Sequence, residues 1–346
     1  MVVKSPRAGP HNDAIAAEAE RLRELIVSNA EPLRTARLGK EFQVDGASFR
    51  LFGKARNAIY RVKWDFNWFL KLTSSGDSRA MVRERLGATM VGEALASCAE
   101  YDGAALTQVG LDPAYVLATT IPGRPLNLVF LTRSWLPDWA GSQPLHDQFG
   151  RLGRLLATLH ADSRPSSDTP EATSRPFETL EGLLGAVSES DGMTDTIAAW
   201  YESHVRPDGG SSFVHGNFRL DNIQSADARL GFLDFENCGT GSSYQDLSRP
   251  VAELLLTRSL VAFPQQRVTR CIRAFLDGYA QVRPHDEDIL WDFVGARVAR
   301  YYLETRERGS FPGRIGGIPV VRKKIDDLTR VTLTGNLRDL IPQAGQ

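Results

Sequence analysis

Residues 211–236 read SSFVHGNFRLDNIQSADARLGFLDFE, and no other stretch constrains this 346-residue chain as tightly. Two short apolar runs, SSFV and GFLDF, each end in polar residues: His215, Gly216 and Asn217 after the first, Asp234 and Glu236 at the end of the second. Apolar runs of this length, bounded by turn residues, read as buried strands. The pattern predicts a hairpin that presents both loop ends to one site. Asp234 and Glu236, two apart at a strand end, would face the same side. Two carboxylates on one face beside an apolar run are costly unless paired or bound to a cation. A hard oxygen-ligand site for Mg²⁺ accounts for them; the competing reading is that one of them caps a turn. His215 reads as a histidine that supports the loop without catalysing, and Gly216 as a turn glycine.

The remainder of the chain divides by period. Asn12 or Asp13 can cap a helix through DAIAAEAERLRELI, with Ile15, Leu22 and Ile26 on its apolar face. ASFRLF, AIYRVKW and WFLKL are rich in aromatic and β-branched residues and predict antiparallel strands. Helical spacing returns through MVRERLGATMVGEALA. YVLATTI (115–121) is a buried-strand candidate, followed by the turn Pro122-Gly123. Beyond it helices dominate, the clearest being RLGRLLATLH with Leu152, Leu155, Leu156 and Leu159 on one face. Residues 161–177 read as loop, and 178–204 and 245–305 as helical. The order is β-rich, then mostly helical. It predicts an α+β fold of two lobes, 1–118 and 119–346, joined near 119–124, with a cleft of the kind ligands favour.

Composition removes several classes. At 42% hydrophobic and 24% charged the chain is that of a globular protein with a sizeable core. A net charge of −1 gives no reason to expect nucleic acid or an anionic membrane as partner. The opening MVVKSPRAGPHND has no signal-peptide run, and runs such as VAELLL fall short of the roughly 20 residues that span a bilayer. Cys98, Cys238 and Cys271 are scattered, with no CxxC, and there is no HExxH. Reduced thiols and a cytoplasmic location are the expectation.

Phosphoryl transfer needs a cation on the nucleotide phosphates, oxygen ligands for Mg²⁺, and a group that orients the attacking hydroxyl. Lys71, alone in the apolar WFLKL, either snorkels at a strand end or faces a cleft holding an anion. Glu84 follows in a helix, where it is either a solvated charge or the partner that aims Lys71.

Taken together, these motifs resemble the aminoglycoside phosphotransferase / choline kinase-like family, whose bilobal protein-kinase-like fold has a β-rich N-lobe, a mostly helical C-lobe and a nucleotide cleft between them. The resemblance covers about residues 45–305. The family pattern His-Gly-Asp-x-x-x-x-Asn, then hydrophobic-Asp-x-Asp/Glu, stands here as HGNFRLDN and LDFE. FGKARNAIYRV resembles the nucleotide-covering hairpin, with Asn57 where a small polar residue commonly sits. FLKL resembles the ATP-lysine strand, RERLGATMVGEAL the glutamate helix, and YVLATTIPGRPL the linker, whose Thr119 and Ile121 fall to the nucleotide. LGRLLATLH and FLDGY resemble later helices. The resemblance implies ATP and Mg²⁺ as cofactors, Lys71 on the phosphates with Glu84 pairing it, and Asn222 and Asp234 as metal ligands. Glu236 would be an additional metal or substrate contact.

The departure is Asn217, which stands where the family has its catalytic aspartate. Its amide can accept a hydrogen bond from a substrate hydroxyl but cannot take the proton. Four readings follow. Asp221 or the acidity of the substrate serves instead; the chain is a pseudokinase scaffold with a protein partner; an aspartate has been replaced to trap an inactive enzyme; or the same residues run a different reaction. The intact lysine and metal residues argue against long decay.

Trp135, Trp139, Trp200, Trp291, Tyr301 and Tyr302 are candidate substrate walls, although core packing is the better reading for most. Charge across 121–346 is close to balanced, which does not select a polycationic aminoglycoside. GARVARYYLETRERG suits an anionic or peptide substrate, or a solvated helix face. The expectation is ATP-dependent O-phosphorylation of a hydroxylated small molecule, an antibiotic or metabolite. The rivals are a nucleotide-binding scaffold and a kinase for Ser/Thr of a precursor peptide.

Overall fold

The aromatic and β-branched runs form strands and the 3.6-residue patterns form helices, as their periods dictate. The computed structural model describes residues 3–4, 10–54, 57–73, 78–104, 106–134, 144–163, 165, 167–173, 176–187, 191–204, 211–260, 264–308 and 319–335. Trp135 and Trp139, and most of the first nine residues, lie outside them. In chain order the elements begin β1 (Val3–Lys4), α1 (Pro10–Ser28), α2 (Ala30–Thr35), β2 (Glu41–Val44), β3 (Ala47–Lys54), β4 (Asn57–Lys63) and β5 (Asn67–Thr73). Then come α3 (Ser78–Ala94), β6 (Leu106–Leu111), β7 (Ala114–Thr119), β8 (Arg124–Pro125), α4 (Leu126–Arg133), α5 (Leu145–Asp162), α6 (Pro176–Ala186) and α7 (Gly192–Ser203). The chain continues with β9 (Ser212–Val214), a 3-10 turn at Leu220–Asn222, β10 (Ile223–Ala226), β11 (Arg229–Phe232) and β12 (Gly239–Gly241). It ends with α8 (Ser243–Leu260), α9 (Gln265–Ala280), α10 (Glu287–Arg308) and α11 (Pro319–Leu333). Two compact units result: Met1–Gly123 with Arg229–Cys238, and Arg124–Ala228 with Gly239–Gln346.

The first unit is built on a seven-stranded sheet in the order β1-β6-β7-β5-β4-β3-β2, with every neighbouring pair antiparallel. Alternation along β4 and β5 sends Ala58, Tyr60 and Val62, and Trp68, Leu70 and Leu72, to the buried face. There they meet Ile15, Ala19, Leu22 and Ile26 of α1, which recur at helical spacing. Each of these large side chains contributes roughly 1.5–3 kcal/mol on burial. Glu18 fixes the position of the helix: its Oε1 accepts from the amide of Phe66 at 3.1 Å and from the Trp68 indole at 2.7 Å.

The second unit is mostly helical. Leu152, Leu155, Leu156 and Leu159 of α5 are all buried, as their spacing predicts. Helices α5 and α9 make backbone contact through glycines. A Cβ on Gly153 would overlap the carbonyl oxygen of Phe275, and one on Gly278 the carbonyl oxygen of Gly150. Gly153→Ala is therefore expected to destabilise the protein by about 1–3 kcal/mol, because two rigid helices must separate. Gly182→Ala in α6, where no atom lies within 4 Å, should be neutral or stabilising by up to ~1 kcal/mol. Denaturant midpoints of the two variants check the contrast.

The expected hairpin between SSFV and GFLDF does not form. Strand β9 pairs instead with β12, Val214 opposite Gly239 and Phe213 opposite Thr240. Strand β11, from the second apolar run, belongs to the first unit, where Leu230 bridges to Tyr101. The reason lies in side-chain bulk. The β12 backbone lies against β9 and also against residues 170–172, where a Cβ on Gly239 would overlap the Pro170 carbonyl oxygen. Gly-Thr-Gly fits that space, and Phe-Leu-Asp-Phe would not. Period-2 reasoning finds a strand but does not name its partner.

Candidate active site

Lys71 stands on β5 between Leu70 and Leu72, both fully buried on the core side, so the pleat turns it to the opposite face. Its side chain is only 5% exposed, with three carboxylates around it. Nζ lies 3.3 Å from Glu84 Oε2, 2.6 Å from Asp234 Oδ1 and 2.6 Å from Glu236 Oε2. Burial works against the ammonium, but the carboxylates of Glu84, Asp234 and Glu236 outweigh it and raise its pKa. Burial also raises the pKa of Glu84, partly offset by Lys71. Glu84 comes from the buried stripe of α3, with Met81, Gly87 and Val91.

Asp234 and Glu236 do converge, but not as residues of one strand. Strand β11 ends at Phe232, and Asp234 takes a left-handed backbone with φ of 68°. Aspartate tolerates that region better than most residues. The turn is stitched to α3. Arg83 Nη1 donates to the Cys238 carbonyl at 3.1 Å, Cys238 Sγ donates to the Arg83 carbonyl at 3.2 Å, and Phe235 packs onto Gly87, where any Cβ would overlap it. Asn57 donates to Glu236 Oε2 at 3.4 Å. Thr119 closes β7 opposite Trp68 and is buried; Ile121 is half-buried and lies against Gly231.

Oxygen atoms of Glu84, Asp234 and Glu236 lie within 4.8 Å of one another. The three carboxylates share the one ammonium of Lys71. A divalent cation with a preference for hard oxygen donors fits a set of oxygens so spaced.

In the helical unit the loop from His215 to Asn222 is held from below. Asp246, on the first turn of α8 and fully buried, accepts the amides of His215 at 2.6 Å and Gly216 at 3.0 Å. Gly216 has a φ of 76°, which lets both amides point to one carboxylate. Burial pushes the pKa of His160 down; its Nε2 lies 3.4 Å from Asp246 Oδ2 and its Nδ1 2.9 Å from the Tyr279 hydroxyl. His215 is also fully buried, and its Nδ1 takes the amide of Asn217 at 3.3 Å. The Asn217 carbonyl accepts the amide of Arg219 at 2.8 Å and the side chain of Asn222 at 3.0 Å. Asp221 forms a two-point ion pair with Arg219, at 2.8 and 2.9 Å. Glu253 of α8 takes the amide of Leu220 at 3.0 Å and Arg249 Nε at 3.1 Å.

Among the aromatic candidates, Trp200 is buried between Phe177 and His204, and Tyr301 and Tyr302 are buried, so these are packing residues. Trp291 is half-buried. The residues that sequence reasoning missed are the anchors Asp246, Glu253 and His160. Their signal was faint: two acids in a helix of mixed polarity, and the histidine that ends LGRLLATLH.

A model of the phosphotransferase enzyme family matches residues 48–289. Comparison with curated proteins gives no match. Among solved structures, amicoumacin kinase hAmiN in complex with AMP-PNP, Ca²⁺ and Ami has a TM-score of 0.57 at 18% identity, covering 88% of this chain and 93% of its own. Macrolide 2′-phosphotransferase MphH from Brachybacterium faecium has a TM-score of 0.50 at 16% identity, covering 90% and 98%. Spectinomycin phosphotransferase APH(9)-Ia, in complex with ADP and spectinomycin, has 0.52 at 12%, covering 90% and 98%. At such identities the likeness is one of fold: an antiparallel-sheet unit and a helical unit of the protein-kinase-like kind. With well over half of its length matched by the family model, the chain belongs to the phosphotransferase enzyme family.

Proposed function

We propose that the chain transfers the γ-phosphoryl group of ATP, with Mg²⁺, to a hydroxyl oxygen of a small molecule. The observation that carries this is the buried Lys71 ammonium held among Glu84, Asp234 and Glu236. Lys71 would grip the nucleotide phosphates while Glu84 keeps it aimed. Asp234 and Glu236 would hold the Mg²⁺, whose part is to neutralise charge on the transferred group. Asn222 is assigned to the metal by the family pattern, and Asn57, Thr119 and Ile121 to the nucleotide. Asn217 would orient the acceptor through its amide oxygen. Solved relatives with the same fold hold AMP-PNP or ADP and act on antibiotics, which supports a small-molecule acceptor.

No described helix is long and apolar enough to cross a membrane. A cytoplasmic location goes with this reading, as the scattered cysteines without a CxxC suggest. Asn217 also favours a second reading, a nucleotide-binding scaffold that engages a protein or peptide.

Titration of MgATP into the native chain and Asp234→Ala tests the assignment. Loss of a metal ligand should weaken MgATP by no less than the roughly 10–100-fold typical of a supporting residue. Equal affinities would remove Asp234 from the nucleotide site. Binding without transfer to any acceptor would favour the scaffold.

A further inference from the structure

We infer that the oxygen this chain phosphorylates is already an anion when it arrives, the hydroxyl of a carboxylic or phosphoric acid rather than of an alcohol. The inference rests on the phosphotransferase reading and narrows its acceptor. An alcohol sheds a proton during transfer, and some group must take it. Asn217 has no means to do so.

Among the described residues, four other acids and histidines touch the loop, and each is already engaged. His215 is fully buried, with its Nδ1 on the Asn217 amide. Asp246 spends one oxygen on the Gly216 amide and the other on the His215 amide and His160. Glu253 spends one oxygen on the Leu220 amide and the other on Arg249. Asp221 alone is substantially exposed, and both of its oxygens bind the Arg219 guanidinium. A proton placed there would break a two-point charge-assisted pair.

Three guanidinium groups stand in the same neighbourhood, two of them already on carboxylates of this chain. Arg219 lies two residues past Asn217 and keeps a third of its side chain exposed. Arg249 meets it at Glu253, whose Oε1 lies 3.7 Å from Arg219 and 3.1 Å from Arg249. Behind them Arg297 is 2% exposed and donates to Ser248 Oγ and the Gln245 carbonyl, neither of them a carboxylate. Its Nη1 has no hydrogen-bond partner. Burial, with Arg249 adding repulsion, pushes the Arg297 pKa down to about 9, which leaves it charged at neutral pH. Planar guanidinium groups bind carboxylate and phosphate at two points, as Arg219 already binds Asp221, so an anionic acceptor would take the fork of Arg219 in competition with Asp221.

The step then balances without a base. An acceptor oxygen lone pair forms the new bond to the γ-phosphorus. The bond from that phosphorus to the β-bridging oxygen breaks, and ADP leaves with its electron pair. No proton moves and nothing is oxidised or reduced. The product is an acyl phosphate or a diphosphate.

The experiment gives MgATP and three acceptor sets to the full chain and to Asn217→Asp. The sets are malonate and citrate, orthophosphate and glycerol phosphate, and glycerol, glucose and kanamycin. ADP release and phosphorus NMR follow the reaction, and hydroxylamine traps any acyl phosphate. The native chain should transfer to a carboxylate or phosphate probe at least ~10-fold faster than to any neutral or cationic one. Asn217→Asp should slow that transfer by placing a like charge beside the acceptor. Arg219→Lys and Arg249→Met should each raise KM for the anion more than they lower kcat. Equal or faster transfer to a neutral hydroxyl by the native chain overturns the inference. So does an inert native chain whose Asn217→Asp form phosphorylates neutral hydroxyls. If neither protein transfers to any probe, titration of malonate and phosphate into the MgADP-bound chain decides. Binding that weakens in Arg219→Lys supports the inference; no binding, or binding unchanged in that variant, overturns it. Failure to bind MgATP at all would instead remove the phosphotransferase reading beneath it.

Discussion

Asn217→Asp is expected to speed phosphoryl transfer to an alcohol by about 10²–10⁴-fold, a barrier change of roughly 3–5 kcal/mol. The two side chains are nearly isosteric, and the loop is anchored through the backbone of residue 217: its amide to His215, its carbonyl to Arg219 and Asn222. The exchange therefore adds a proton acceptor without moving the loop. Affinity for MgATP should be unchanged, because Lys71, Asp234 and Glu236 are untouched. Single-turnover rates on a panel of alcohols measure the gain. Equal rates in the two forms would mean that the proton never goes to residue 217. With an oxyanion acceptor the sign reverses, so one substitution read against two acceptor classes reports on both the loop and the substrate.

Lys71→Ala should have the other large effect, and on two observables. Removing one partner of a buried ion pair typically costs 3–5 kcal/mol, because the charge left behind is uncompensated. Here three carboxylates would be left, with the side chain of Glu84 only 10% exposed. A stability loss of about 3–5 kcal/mol is expected in metal-free buffer. Added Mg²⁺ should restore part of it, since a divalent cation can take the place of the missing ammonium among the same oxygens. MgATP affinity should fall as well, because the group proposed to grip the phosphates is gone. Denaturant melts with and without Mg²⁺, alongside calorimetric titration of MgATP, read the two effects separately. A variant as stable as the native chain, with no response to Mg²⁺, would show that the carboxylates do not form a cation site.

Much of this was legible in the sequence because local chemistry carried it. The apolar run WFLKL marked a strand with Lys71 alone in it, and helical spacing put Leu152, Leu155, Leu156 and Leu159 on one face. The order of motifs was enough to indicate the family. What escaped depended on contacts between distant residues. The partner of SFV is Gly-Thr-Gly because only glycine fits against Pro170, a fact of volume that hydrophobic pattern does not encode. Asp234 and Glu236 converge through a left-handed turn where a strand pleat was expected. Asp246 and Glu253 look like solvated helix acids until the amides of residues 215, 216 and 220, some thirty positions earlier, are found resting on them. A carboxylate's role as anchor is set by what folds onto it, and its immediate neighbours carry no trace of that.

The membership of Arg229–Cys238 in the first unit bears on how the chain is born. When β7 has left the ribosome, all seven strands of the large sheet exist, yet the unit is unfinished. The surface of α3 at Gly87 still lacks Phe235, and Lys71 has one carboxylate where it will have three. Completion waits until residue 238 is synthesised, after most of a helical segment has intervened, and that long loop must close at an entropic cost. Contacts of such sequence separation slow folding and leave the half-built sheet exposed meanwhile. A fragment cut at residue 123 should therefore behave as an incomplete body prone to self-association. Lys71 and the helical segment would then have to be made, and inherited, as one continuous gene product.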